Sequence, residues 1–479
     1  MKRDSVLNAR LDQFFKLTER GTTVKTEFMA GMTTFFAMVY IIIVNATMFS
    51  DPLGDGSNPL GVSYGAMYIA TSLSAVVGTV LVGVVANLPL AMASGMGLNA
   101  FFVYTVCLGF GLTYANALVL ILAEGLVFIL LTVTGLRRKI FEALPDCVRV
   151  AIPSGIGLYI AMLGLQNAGI VVPNASTCVD LASFNLMTQT WADIMPMMVT
   201  ILTFLAIVIL SHKNFKGAVL TGIRTGLILY YVLGITVDGF FPGLNFSFVS
   251  PFKAFREFAD FSLFAVIREG FDFSAFEAVH GRTSLIVTIL TTGLAFCMVD
   301  MFDTLGTLYA ACERGGLLDE HGIPLNMNRG LLCDAIGTTV GALCGTSTVT
   351  TFSEVNAGVA AGGRTGLTSV FCGMFFIIAM FLSPLAQAIP SCCTAAALIY
   401  VGFLMMSSVK NLKWDDLTVS IPAFLTISVM PFTYNISYGI AFGLISHIII
   451  SVFCGNFRKI RLSAWIISAL FIAMLILTH

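Results

Sequence analysis

Charge is what this chain has least of. Only 11% of its 479 residues are Asp, Glu, Lys or Arg, against about 25% in an ordinary soluble domain. With 57% hydrophobic residues and a mean hydropathy of +0.92, that deficit excludes a soluble globular protein and indicates a polytopic membrane protein. A basic excess is lacking too. The net charge is −1, which gives no reason to expect nucleic-acid binding. Neither CxxC nor a Cys/His cluster occurs among the 11 cysteines, so they read as small buried hydrophobes and no metal site is expected. HExxH is missing as well. The two aspartates that stand out share one helix, whereas an intramembrane aspartyl protease needs them on separate helices, so an enzyme is not expected. The N-terminus, "MKRDSVLNARLDQFFKLTERGTTVK", lacks the apolar core of a signal peptide and reads as a cytosolic tail (1–25) with an amphipathic stretch around Leu11–Leu17.

Long apolar runs are abundant. A span needs about 20 apolar residues, and about fourteen candidates lie between residues 27 and 455. Residues 456–479 form a basic segment and a further apolar stretch, whose crossing of the membrane is left open. Lys and Arg alternate as the positive-inside rule requires. The tail, the 137–149 loop, Lys213 with Lys216, Arg314 with Arg329, Arg364, Lys410 with Lys413, and Arg458, Lys459 and Arg461 fall on one side, while 50–62 and 171–189 contain neither residue. The 241–283 connection carries four basic residues and reads as an amphipathic helix on the outer interface.

Two spans look wrong for simple helices. The segment 90–110 opens "LPLAMASGMGLNAFF", with Pro89 and a cluster of small residues, and 347–362 reads "STVTTFSEVNAGVAAG", β-leaning and then helical. Extended backbone is tolerated at membrane depth only where protein or a cavity surrounds it. Paired interruptions in two halves of a chain point to a transporter's binding site. "AVVGTVLVG" (75–83) precedes the first and "DAIGTTVGA" (334–342) the second, and each leads to an Asn-Ala pair, Asn99-Ala100 and Asn356-Ala357. An offset of seven spans makes the second copy inverted.

Within "VDMFDTLGTL" (299–308), Asp300 and Asp303 share one helical face with Thr304 and Thr307. An Asp at a span centre costs about 2.5–3.5 kcal/mol on insertion scales, and Glu354 adds a third acid. No Lys or Arg is expected inside the spans to neutralise them, and such acids take up and release protons in transport cycles. Glu354 begins the helical half of its broken span, and Asn99 is expected at the equivalent place in the other repeat. Carboxylate, amide and free N–H groups together suit a flat, neutral, polar ligand such as a nucleobase. Glu124 is expected to make a structural hydrogen bond, Asp334 to act as a charge near a helix start, and His447 to be a packed residue.

The motifs "GMTTFFAMVYIIIVN", "GMGLNAFF", "VDMFDTLGTL" and "FSEVNAGVAAGGRTGLTSV", in this order between Thr26 and Ile450, resemble the AzgA-like purine permeases (hypoxanthine, guanine, adenine) of the nucleobase–cation symporters. Departures are Ser94 and Ala46 where Pro is usual, and "FSEVNAG" in place of a Tyr-Ile-Glu-Ser run. The resemblance implies an all-α polytopic fold of two inverted seven-span repeats with two broken spans. Its core domain would comprise 26–137 and 284–388, and its gate domain 147–240 and 393–455, the core moving past the gate like an elevator. It implies that Asn99, Asp300 and Glu354, flanked by Ser353 and Thr307, bind the purine. Asp303 would carry the proton, with Asp300 and Glu354 as further coupling groups. The implied function is proton-coupled uptake of purine bases, guanine and hypoxanthine before adenine, by a multi-pass plasma (inner) membrane protein with its N-terminus in the cytosol. No cofactor is implied beyond H+ as coupling ion, and partners are the base, the proton and the lipid bilayer, with a homodimer left open. The alternative is a symporter of the same fold for uracil or xanthine. An anionic cargo is disfavoured by the three acids.

Overall fold

The structure, a computed structural model, describes residues 10–54, 56–135, 145–237, 251–455 and 460–478. The basic residues at 2–3, 137–139 and 458–459 lie outside the described residues. The first repeat contains α1 (Val24–Met38), α2 (Tyr40–Ser50), α3 (Tyr64–Leu81), β1 (Met92–Ser94), α4 (Met96–Ala100), α5 (Tyr114–Val133), α6 (Asp146–Asn167), a surface hairpin of β2 (Val171–Asn174) and β3 (Cys178–Leu181), α7 (Trp191–His212) and α8 (Ala218–Gly234). A connection carrying α9 (Pro251–Glu257) and α10 (Ala265–Arg268) leads to α11 (Ser274–Gly315), α12 (Met327–Cys344), β4 (Val349–Thr351), α13 (Val355–Ala360), α14 (Gly366–Met380), α15 (Ser383–Ala386), α16 (Ser391–Met405), α17 (Leu417–Thr433), α18 (Ile436–Phe453) and α19 (Leu462–Thr478). Among the described residues, eight helical stretches are long and apolar enough to cross a bilayer, and Met96–Gly109, α8, α14 and α17 contribute shorter apolar helices. Ala464–Ala473 is a further short apolar helix; apart from it, α12 and the second broken span bring these twelve to the fourteen spans expected. The fold is an all-α polytopic membrane protein.

Local sequence sets the helix ends. Thr23, Ser63, Thr113 and Asn435 place side-chain oxygens on the free N–H groups of α1, α3, α5 and α18, each such cap stabilising its helix by about 1 kcal/mol. Gly345, at φ +89°, ends α12 in the left-handed conformation that favours glycine. The chain then enters the β-branched run that forms β4.

The two broken spans meet at the centre. β1 and β4 pair antiparallel, Met92 with Thr351, Ala93 with Thr350 and Ser94 with Val349. All six residues are buried, so the ribbon meets the requirement for extended backbone at membrane depth. The two repeat motifs hold it from matching helices. Thr79 Oγ1 accepts from Met92 N at 2.9 Å and donates to Met92 O at 3.0 Å, and Thr338 Oγ1 donates to Val349 O at 3.0 Å. Gly78 and Gly337, one residue before each threonine, let their helices close on the strands: a Cβ at Gly78 would stand 3.3 Å from Val349 Cγ1, and one at Gly337 would stand 3.4 Å from the same atom.

Around the ribbon, α1, α2, α3, α5, α11, α12, α13 and α14 pack as a core, while α6, α7, α8, α16, α17 and α18 pack as a gate. The tail is part of the core, because Phe15 and Leu17 are buried against Leu367 of α14. The 251–268 connection differs from the expected single interfacial helix. It is broken into α9 and α10, and Ala254, Phe258, Ala265 and Val266 are buried against the core, chiefly α3 and α5; the aromatic pattern reflects packing as much as lipid contact. α19 packs on α11 and α18. Of the eleven cysteines, all free, only Cys178 and Cys454 are exposed and Cys297 is half-buried, as small hydrophobes should be.

Candidate functional site

Core and gate face each other across a narrow crevice. Its core wall is built from Tyr40, Gly95, Gly97, Asp303 and Glu354, and its gate wall from Val401 and Met405 of α16 and Ile152 and Ile156 of α6. The main cavity measures about 50 Å³, well under the roughly 300–1,000 Å³ of small-molecule sites. Larger cavities lie at the surface, away from the acids. The crevice as it stands is too small for a ligand the size of a nucleobase.

Glu354 is the residue immediately before α13, where β4 has delivered the chain into the crevice. Its Oε1 accepts from the Tyr40 phenol at 2.6 Å, and its Oε2 accepts from Ser353 Oγ at 3.1 Å. Tyr40 is fully buried at the point where the first span is interrupted between α1 and α2. Asp303, on α11, lines the same crevice together with Gly97. Ser353 and Glu354 thus come together with Asp303, while the other three sequence candidates sit behind them.

Asn99 is fully buried. Its Oδ1 accepts from Ser94 Oγ at 2.6 Å and from Ser347 Oγ, and its Nδ2 donates to Ser94 O at 3.3 Å. Ser94 also contacts Thr346 and Ser347, and Asn45 donates to Thr71 and Thr346, so the amide belongs to a network joining the two extended segments. Asp300 is also fully buried. The Thr304 hydroxyl lies 3.4 Å from its Oδ1, 2.7 Å from Asp334 Oδ1 and 2.7 Å from Thr350 Oγ1. Thr307 Oγ1 donates to Asp303 O at 2.8 Å and to Thr351 O at 3.1 Å, fastening α11 to β4.

Three expectations need correction. The ribbon's two-fold carries Ala93 onto Thr350, so Asn99 corresponds to Asn356, and Glu354 corresponds to Gly97; the expected equivalence of Asn99 and Glu354 is two residues out. A long acid on one side faces a bare backbone on the other. Asp334 is not at a helix start: α12 begins at Met327, and Asp334 is wholly buried two turns in, bonded to Thr304 of α11. One cation does lie inside a span, because Arg224 is on α8, but it is exposed on the gate and lines neither side of the crevice. Tyr40, which donates to Glu354, joins the site as a residue that the acids do not point to; its signal in the sequence is a lone hydroxyl-bearing aromatic in "AMVYIIIVN". Glu124 accepts from Thr348 Oγ1 at 2.6 Å inside the core, and His447 Nδ1 lies 3.3 Å from Cys147 Sγ.

Residues 25–442 match the xanthine/uracil permease pattern, described as the Permease family. The adenine permease AdeQ of Escherichia coli (strain K12) is 37% identical over 470 residues, covering 98% of this chain and 96% of that one. The guanine/hypoxanthine permease PbuO of Bacillus subtilis (strain 168) is 36% identical over 471 residues, covering 96% and 99%. Among solved structures, the transmembrane domain of the cyanobacterial bicarbonate transporter BicA superposes with a TM-score of 0.56 at 15% identity, covering 88% of this chain and 97% of that one. That likeness extends to the inverted repeats and the core-and-gate arrangement. With the family pattern spanning most of the chain and relatives of this identity over nearly all of it, the chain belongs to the Permease family, in its AzgA-like purine branch, and is a multi-pass membrane transporter rather than an enzyme.

Proposed function

We propose that this protein takes up purine bases with protons across the plasma membrane, guanine and hypoxanthine before adenine, with its N-terminus in the cytosol. The observation that carries this reading is the convergence of Asp303 and Glu354 on one crevice between core and gate. A neutral base needs no charge partner, so a carboxylate can accept its ring N–H groups, and a proton bound with it offsets the charge that the acids carry through the membrane. Glu354, held by Tyr40 and Ser353, is assigned to the base, and Asp303 to the proton. Ser353 is in position to touch the base as well, whereas Asn99, Asp300 and Thr307 serve from behind by holding the ribbon and α11. Relatives named for adenine and for guanine/hypoxanthine transport support a purine cargo without choosing between them. The preference for 6-oxopurines rests on their ring N–H, since adenine presents a bare nitrogen at that edge.

The cavity volume supports an elevator-like cycle. A base is released only if the core, carrying the ribbon and both acids, moves against the gate wall of α6 and α16.

The test is uptake of labelled hypoxanthine in cells lacking their own purine permeases, with and without a protonophore, against unlabelled guanine, adenine, xanthine and uracil. Protonophore-sensitive uptake blocked by guanine supports the reading, and block by uracil or xanthine alone replaces the cargo. Glu354→Gln must lose most uptake while remaining in the membrane; normal uptake by that variant removes Glu354 from the site.

A further inference from the structure

A second cavity, of about 820 Å³, opens on the basic face of the core, far from the crevice. Four cations line it: Lys16 and Arg20 from the tail, Arg329 from the first turn of α12, and Arg364 from the loop after α13. The single acid lining it, Glu19, is engaged by Lys16 at 3.0 Å, so the cavity keeps a clear positive excess. Its rim is apolar: Phe14 is 58% exposed and Val84 42%, both beside the cations.

The arginines are already positioned. Arg20 Nη1 donates to Asn87 O at 2.6 Å and Arg364 O at 2.9 Å, and Arg364 Nη1 donates to Val359 O at 2.6 Å and Gly363 O at 2.8 Å. Each of these bonds leaves from one nitrogen, so each fork turns its other nitrogens elsewhere. Arg20 thereby joins Asn87, just before the first broken span, to Arg364, just after the second.

We propose that this cavity binds the phosphate of an anionic phospholipid, headgroup against Lys16, Arg20, Arg329 and Arg364, with its acyl chains over Phe14 and Val84. A basic pocket between spans is how membrane proteins take anionic headgroups, and bidentate arginines suit phosphate. The apolar rim favours the lipid over free phosphate, which has nothing to lay against Phe14. Occupancy ties the tail to both broken spans and stiffens the core without touching the crevice.

The test uses the full chain purified in a neutral detergent, with thermal unfolding followed on addition of dioleoylphosphatidylglycerol, dioleoylphosphatidylcholine or inorganic phosphate. The anionic phosphatidylglycerol is expected to raise the midpoint by roughly 4 °C, with little response to the other two. Lys16→Gln/Arg329→Gln, both exposed positions, should lose most of that rise. Lys213→Gln/Lys216→Gln, which removes equal charge elsewhere on the basic side, should keep it. An equal rise in both double variants and wild type, or no rise at all, overturns the site; loss in both variants reduces it to general charge attraction. A rise as large with inorganic phosphate overturns the lipid and assigns the cavity to a free phosphate. None of these readouts depends on the cargo, so failure here leaves the purine reading standing, and the converse.

Discussion

Gly97 of the core packs directly against Ile156 of the gate, and it offers a sharp test of the moving-core cycle. A Cβ built at Gly97 would lie 2.4 Å from Ile156 Cγ2 and 3.7 Å from Ile156 Cβ. The first distance is a collision with a stiff, β-branched side chain; the second is ordinary contact. Overpacking of this kind costs about 1–3 kcal/mol. Since about 1.36 kcal/mol is a factor of ten, Gly97→Ala should depopulate the closed conformation roughly 5- to 150-fold and cut labelled hypoxanthine uptake at least about fivefold. Ile156→Ala removes Cγ2 and leaves only the harmless Cβ contact. The double variant should therefore recover to near the rate of Ile156→Ala alone, at matched amounts of protein in the membrane. Full uptake by Gly97→Ala would refute the reasoning, because the closed approach would then lie off the transport path. A double variant as slow as Gly97→Ala would refute it too, by placing the damage in the binding surface.

Tyr40→Phe removes the donor to Glu354 Oε1; hydrogen bonds to charged groups contribute about 1.5–3 kcal/mol, so KM for hypoxanthine should rise at least about tenfold, with Vmax much less affected. Thr79→Val strands the N–H and C=O of Met92 in the membrane core and should destabilise the protein by about 2–4 kcal/mol, read as a lower unfolding midpoint, whereas Thr79→Ser should be near wild type. Asp416 caps α17 outside the membrane, and hydrogen bonds from the Thr418 side chain and then its backbone N–H hold its carboxyl below the usual range. A lowered carboxyl contributes stability above its unfolded value and loses it as pH falls through its folded one. Hydrogen exchange at the start of α17 should therefore accelerate on acidification in wild type and be already fast, and less pH-dependent, in Asp416→Ala.

The acids were legible in the sequence because a carboxylate in an apolar run has so few harmless explanations, and the broken spans because Pro89 and the "STVTT" run contradict a helix. The inverted repeat could be read from its Gly-Thr pairs, whose purpose, clamping each repeat's strand, is now visible. Division of labour among the polar residues was not legible. Asp300 and Asp303 are three residues apart on one helix, and which of them faces the gate depends on the rotation of α11 fixed by Thr304 and Thr307 against β4. Asn99 offers the same amide whether it meets a ligand or, as here, two serines. The correspondence of Glu354 with Gly97 follows already from pairing Asn99-Ala100 with Asn356-Ala357, and the strand register agrees with it, although thirteen residues separate Thr79 from Met92 and eleven separate Thr338 from Val349. The depth of Asp334 was not legible because nothing in "MNRGLLCDAIGTT" marks Met327 as the start of its helix.

The β1–β4 ribbon also bears on ancestry. A chain of half this length would carry one strand whose edge found no donors or acceptors in the bilayer, and it could satisfy that edge only against a second copy inserted upside down. The hydrogen bonds at the centre of the protein therefore favour a history in which a small ancestor entered the membrane in both orientations and paired with itself. Fusion of the two copies would then free them to differ, so that one repeat carries an acid, Glu354, three residues beyond its strand and the other a glycine, Gly97.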